Sequence, residues 1–255
     1  MRITRAVVPS LFTVLNMFSG FMSIIHASRN EFIPACWFII LAAGFDALDG
    51  VMARITKSTS QFGVEIDSLS DVVSFGAAPA FLVYQFSLHS LDGLGIFLSS
   101  LLMIFAGLRL ARFNVQLVGF DKDHFVGLPV PASAITIASF VLNAMSGIDE
   151  FRVHAVDILP WLSIALALLM VSKVRYDTLP KISPRAIRRE PWKFIFFTLA
   201  VIVGFVTAGS AIFPLFLLFI VLGLVRYVGG LVRRLLHGGP RFEEEERIGQ
   251  SRIDS

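Results

Sequence analysis

Residues 36–54 read Cys36-Trp-Phe-Ile-Ile-Leu-Ala-Ala-Gly-Phe-Asp46-Ala-Leu-Asp49-Gly50-Val-Met-Ala53-Arg54, and Gly63, Asp67 and Asp71 follow at fixed spacing. An apolar run of membrane-spanning character therefore ends in a pair of carboxylates, and a second pair opens the next apolar run. In pattern form the stretch is D-x2-D-G-x2-A-R-x8-G-x3-D-x3-D. An aspartate at the centre of a membrane helix costs roughly 2.5 to 3.5 kcal/mol on insertion scales, so four of them beside apolar spans require a chemical reason.

The remainder of the chain supports the membrane reading. It has 255 residues, of which 55% are hydrophobic and 16% charged, against roughly 25% charged in a soluble domain. Runs such as Phe213 to Val225, and 25 phenylalanines in all, exceed what a soluble core of this size could bury. The expected fold is all-α, a polytopic helical bundle. Eight spans of roughly 20 apolar residues fit near 10–28, 33–54, 65–86, 94–113, 130–147, 157–172, 193–209 and 213–230. The even number is supported by charge. With the N-terminus in the cytoplasm, every Lys and Arg except Arg29 and Arg152 falls on cytoplasmic segments, as the positive-inside rule requires, and the C-terminus is then cytoplasmic too. The net charge of +3 reflects this bias and points to anionic membrane lipid, not nucleic acid, as the partner of the basic residues.

No internal repeat is visible. The proline-rich, basic loop from Lys173 to Lys193 divides a six-span core, residues 1–182, from two further spans in 183–236 and a polar tail in 237–255. Met1-Arg-Ile-Thr-Arg leads into the first span without a small-residue cleavage site, so no cleaved signal is expected. The single cysteine, Cys36, excludes an internal disulfide and a cysteine-based zinc site, and its apolar setting makes it a packing residue.

On helices, Asp46 and Asp49 are three residues apart and Asp67 and Asp71 four apart, so each pair shares a face. The pairs are mirror images about the polar turn Lys57-Ser58-Thr59-Ser60. An antiparallel hairpin of the second and third spans would set Asp46 opposite Asp71 and Asp49 opposite Asp67. Four converging acids call for hard divalent cations, Mg²⁺ or Mn²⁺, which take oxygen ligands and keep positions for phosphate. A pair of such ions can clamp a pyrophosphate. Gly50 and Ala53 lie on the face of Asp46 and lack bulk, so a nucleotide or pyrophosphate could approach the helix, and Arg54 can pair with phosphate oxygens in a fork. Each of these residues has a plainer reading alone: Gly50, Ala53 and Gly63 as helix-packing residues, Arg54 as a topology anchor. The combination is harder to dismiss, since eight residues fixed in type and spacing arise by chance at roughly 10⁻¹⁰ per start site at average residue frequencies.

All eight positions match the signature of the CDP-alcohol phosphotransferase family, and the chain is identified as resembling it over about residues 8–182. Within that family, three segments resemble the bacterial membrane-integral members that use serine as acceptor. They are Asp67-Ser-Leu-Ser-Asp71-Val-Val-Ser-Phe-Gly-Ala-Ala-Pro-Ala80, Leu108-Arg-Leu-Ala-Arg-Phe-Asn114 and Phe125-Val-Gly-Leu-Pro-Val-Pro-Ala132. The resemblance implies transfer of the phosphatidyl group of CDP-diacylglycerol to L-serine with release of CMP. Asp46, Asp49, Asp67 and Asp71 would then be metal ligands and Asp71 also the general base. Gly50, Arg54 and Ser60, with Ala53 and Gly63, would hold the CDP-lipid, and Thr13 and Asn16 would contribute to the nucleotide pocket. A homodimer in the bacterial inner membrane, with its active site toward the cytoplasm, is also implied. Serine carries a carboxylate, so Arg109, Arg112 and Lys122 are the candidate cations for it, Arg112 foremost; His124 is nearby. The two last spans depart from shorter members with six.

Two other readings stand beside this one. Glycerol 3-phosphate, an inositol phosphate or choline could be the acceptor, because the metal motif is silent on it. A cation-coupled transporter could use an aspartate cluster, but such proteins commonly show a repeat relating their halves, and none is seen here.

Overall fold

Hydropathy at this level predicts long helices, and the computed structural model consists of them. It describes residues 7–56, 61–118, 127–146, 149–174, 176, 209 and 211–236, and among these no strand occurs. The expected span at 193–209, the loop after Tyr176 and the polar tail lie outside the described residues, Gly209 excepted.

Helix α1, Val7–Ser28, is 22 residues long, about 33 Å at 1.5 Å per residue and so enough for a hydrocarbon layer of about 30 Å. Its two faces are sorted. Leu11, Val14, Phe18 and Phe21 are exposed, whereas Thr13, Asn16, Ser19, Ser23 and Ala27 are buried. Polar side chains thus face protein and apolar ones face outward, as a lipid solvent dictates. The helix ends where Asn30 takes a left-handed φ of 60°, which asparagine tolerates, and the Asn30 and Glu31 amides return to the Ala27 and His26 carbonyls at 2.9 Å. Helix α2, Phe32–Thr56, then runs back along α1.

The stretch Phe62–Val115 is continuously helical in secondary structure yet doubles back on itself. Helix α3, Gln61–Asp71, passes into a π-helical segment, Val72–Ala77, then α4, Ala78–Val83, a second π-helical segment, Tyr84–Leu88, and a 3₁₀ turn, His89–Leu91. The reversal falls at Asp92, whose φ is 45°. Helix α5, Asp92–Val118, returns against the first π-helical segment and α4. The two expected spans at 65–86 and 94–113 are therefore both present as the arms of this hairpin.

Helix α6, Val130–Ser146, is the shortest long helix and the most enclosed, packing against α2, α7 (Asp149–Val171) and α8 (Ile212–Leu236). Its polar side chains are satisfied within the helix: Thr136 Oγ1 donates to the Ala132 carbonyl and Ser139 Oγ to that of Ile135, both at 2.7 Å. Before α6, Gly127 has a φ of 92°, and its amide donates to the Val174 carbonyl at 2.8 Å, tying the α6 entry to the end of α7. A Cβ at Gly127 would also strike the Met170 carbonyl, so glycine is required there twice over. Helix α8 docks through a notch. Gly223 lies against the buried Tyr176 ring, and Phe219 packs on the same ring at 5.6 Å between centroids. The C-terminal span is thus packed on the core. The long apolar helices, with their outward apolar faces, make the chain an integral membrane protein of the helical-bundle class.

Candidate functional site

Three helices meet where the acidic pattern ends. Asp46 and Asp49 lie in α2, Asp67 and Asp71 in α3, and α1 packs against both. Helices α2 and α3 touch little directly. This modifies the simple hairpin expected from the mirror-image spacing. α1 packs against both acidic helices and links them, while the Asp46 carboxylate of α2 still reaches those of Asp67 and Asp71 on α3.

Asp46, Asp67 and Asp71 each offer an oxygen, and these three atoms lie within 4.8 Å of one another. Asp49 stands aside from that trio. Its Oδ2 accepts a hydrogen bond from Thr13 Oγ1 at 3.0 Å, and its Oδ1 is buried without a hydrogen-bond partner. Asn16 Nδ2 donates to Asp71 Oδ1 at 3.2 Å, and Asn16 Oδ1 is likewise buried without one. Asp71 is 8% exposed and Asp49 9%, so the group is recessed from solvent. Two serines not singled out by the motif support it from α3 and the π-helical segment. Ser70 Oγ donates to the Thr13 carbonyl at 3.0 Å and Ser74 Oγ to the Asn16 carbonyl at 2.8 Å. On the α5 side, Asn114 Nδ2 donates to Ser68 Oγ at 2.9 Å.

The donor set fits a hard divalent cation. Only oxygens converge, within 4.8 Å of one another, and two further buried oxygens have no protein donor, a set that would hold such an ion. Among the described residues this is the group of acids that could hold such an ion.

The remaining candidates divide by position. Arg109 on α5 is half-buried with its Nε lacking a hydrogen-bond partner, and its charge acts on Asp71. Arg112, three residues on, is exposed. Arg112 is the foremost candidate by sequence, but of the two it is Arg109 that is drawn in from solvent and acts on Asp71. Gly50 is half-buried, and nothing stands within 4 Å of where its Cβ would lie, so the space beside Asp46 and Asp49 is open. Ala53 and Gly63 are half-buried on α2 and α3. Ser60, Lys122 and the side chain of Arg54 lie outside the described residues.

Comparison with known proteins agrees with this geometry. A family model described as CDP-alcohol phosphatidyltransferase matches residues 6–171, which contain the whole acidic pattern. The chain is 34% identical over 233 residues to the CDP-diacylglycerol–serine O-phosphatidyltransferase of Helicobacter pylori, covering 88% of this chain and 92% of that one. It is 39% identical over 170 residues to the archaetidylserine synthase of Methanothermobacter thermautotrophicus, covering 66% and 68%. The CDP-diacylglycerol–serine O-phosphatidyltransferase of Bacillus subtilis is 28% identical over 187 residues, covering 72% of this chain and 98% of that one. The match of the family model over most of the chain, together with the acidic helices it encloses, establishes that the chain belongs to the CDP-alcohol phosphatidyltransferase family.

Proposed function

We propose that this protein transfers the phosphatidyl group of CDP-diacylglycerol to the hydroxyl of L-serine, giving phosphatidylserine and CMP. The observation that carries the reading is the recessed cluster of Asp46, Asp67 and Asp71 bounded by α1 and faced by Arg109. The names of relatives similar over most of the chain point to the same acceptor.

Asp46, Asp49, Asp67 and Asp71 would hold two Mg²⁺ or Mn²⁺ ions. Bound there, the ions supply charge neutralisation for a pyrophosphate and its leaving phosphate. The residues of the chain do the rest. Asp71 accepts the proton of the serine hydroxyl, a poor nucleophile at neutral pH without a base in reach. The freed oxygen forms a bond to the lipid-side phosphorus as the pyrophosphate P–O bond breaks, and CMP carries away the electron pair. Asn16 keeps Asp71 Oδ1 engaged, which fixes the carboxylate rotamer. The open side of Gly50, with Ala53, Gly63, Arg54 and Ser60, accommodates the CDP moiety. We place the site toward the cytoplasm of a bacterial inner membrane, on the strength of the positive-inside bias, and take the working unit as a homodimer.

For the serine carboxylate we assign Arg109 ahead of Arg112 and Lys122, because Arg109 has a buried donor without a partner and stands beside the proposed base. A charged hydrogen bond to substrate is worth about 1.5 to 3 kcal/mol. Arg109→Gln should therefore raise KM for serine by roughly ten- to a hundred-fold. That rise should exceed the one caused by Arg112→Gln at least ten-fold in steady-state assays, and an equal effect of the two would remove the assignment.

The deciding experiment is release of CMP from CDP-diacylglycerol by purified protein with serine, glycerol 3-phosphate, inositol 1-phosphate or choline supplied separately. Release with serine alone is the expected result. Release with a different acceptor would keep the phosphotransferase and overturn serine. No release with any of them, by a monodisperse sample, would return the aspartate cluster to a transport role.

A further inference from the structure

The hydrogen bonds between α1 and the α3 side of the site form two parallel chains, one turn apart. In the first, Ser70 Oγ donates to the Thr13 carbonyl and the Thr13 hydroxyl donates to Asp49. In the second, Ser74 Oγ donates to the Asn16 carbonyl and the Asn16 amide donates to Asp71. Ser70, Ser74, Thr13 and Asn16 are all at most 2% exposed, so water does not compete for these bonds. Each serine uses the second lone pair of a carbonyl that the α1 ladder leaves available. The two helical segments are also pressed together here: a Cβ on Gly20 of α1 would overlap Ser74.

We propose that Ser70 and Ser74 are positioning residues of the transferase site, setting the axial register of α1 so that Thr13 meets Asp49 and Asn16 meets Asp71. The inference rests on the transferase reading and deepens it. Neither serine belongs to the acidic pattern, yet both grip the backbone of the residue whose side chain grips an aspartate. A carboxylate that must take a proton works only when held within a fraction of an ångström of its productive position. A slip of α1 along its axis would release Asp49 and Asp71 together. A slip confined to one chain of bonds would release one of them.

The test uses the full-length chain in detergent and reads kcat and KM for CMP release. The variants are Ser70→Ala, Ser74→Ala, Thr13→Val and Asn16→Ala, singly and in pairs. Each serine variant should lose about ten-fold in kcat, with both KM values changed by less than about two-fold. Because each serine acts through one partner, Ser74→Ala with Asn16→Ala should lose no more than Asn16→Ala alone, and Ser70→Ala with Thr13→Val no more than Thr13→Val alone. The crossed pairs, Ser74→Ala with Thr13→Val and Ser70→Ala with Asn16→Ala, should multiply. Should an alanine variant fail to stay monodisperse, Ser70→Cys or Ser74→Cys, which keep the volume and weaken the donor, is held to the same criteria. Within-chain losses that multiply, or serine variants with the kcat of the unmodified protein, overturn the proposal. An unmodified protein that transfers to no acceptor overturns it together with the transferase reading, whereas transfer with multiplying within-chain losses overturns this inference alone.

Discussion

Asp71→Asn should abolish CMP release from CDP-diacylglycerol without unfolding the bundle. The substitution preserves shape, and the new amide oxygen can still accept the bond from Asn16 Nδ2, which spans 3.2 Å in the native protein. What it removes is a proton acceptor and one negative charge. Loss of a general base alone costs about 10²- to 10⁴-fold in rate, and loss of a cation ligand adds to that. Stability should move the other way. Two full charges 4.8 Å apart repel by about 3 kcal/mol at an effective dielectric constant near 20, and Asp71 shares such a separation with Asp46 and Asp67. In metal-free buffer the variant should therefore melt at or above the temperature of the unmodified protein, a trade of stability for activity familiar at catalytic sites. Rate and melting curve together make the check. A variant that keeps more than about a tenth of the native rate would take the base role from Asp71.

Removal of divalent cations should have an effect of similar size. Dialysis against a chelator should stop release of CMP, and Mg²⁺ or Mn²⁺ should restore it. The trio of aspartate oxygens and the buried, unbonded Asp49 Oδ1 supply hard ligands whose charge the single nearby Arg109 does not balance. The same ions should raise the melting temperature of the unmodified protein, by the equivalent of about 2.7 kcal/mol at a hundred times the dissociation constant. Asp46→Asn should shift both the activation curve and the thermal response to higher metal concentration. Full activity after exhaustive chelation, verified by metal analysis, would contradict the assignment of these acids as ligands.

The sequence made much of this architecture legible. Apolar runs of span length placed α1, α2, the hairpin of Phe62–Val115, α6, α7 and α8, because a lipid solvent leaves few other solutions for such runs. Their ends were less legible: α7 begins at Asp149, before the expected 157, and α8 runs on to Leu236. The acidic pattern was legible for a related reason. Charge is so costly beside apolar spans that its retention at fixed helical spacing marks function before any coordinate is known. The same logic isolated Gly50, whose outer side is open in the folded chain.

Other features had no signature of their own. Thr13 and Asn16 were visible as polar residues in an apolar span, but their partners Asp49 and Asp71 are set by how α1 packs against α2 and α3. Ser70 and Ser74 read as ordinary small residues until the π-helical segment is seen lying on α1 at Gly20. The sequence reading puts Arg112 ahead of Arg109, and burial favours the reverse, since Arg109 is half-buried and Arg112 exposed. The sequence by itself determined where the described long helices run, that they suit a membrane, and which acids are proposed to carry the chemistry, since these follow from local hydropathy and spacing. Only the tertiary structure decided which side chains hold those acids and which arginine faces them, because helix register and rotation are fixed by contacts between residues as much as 58 positions apart.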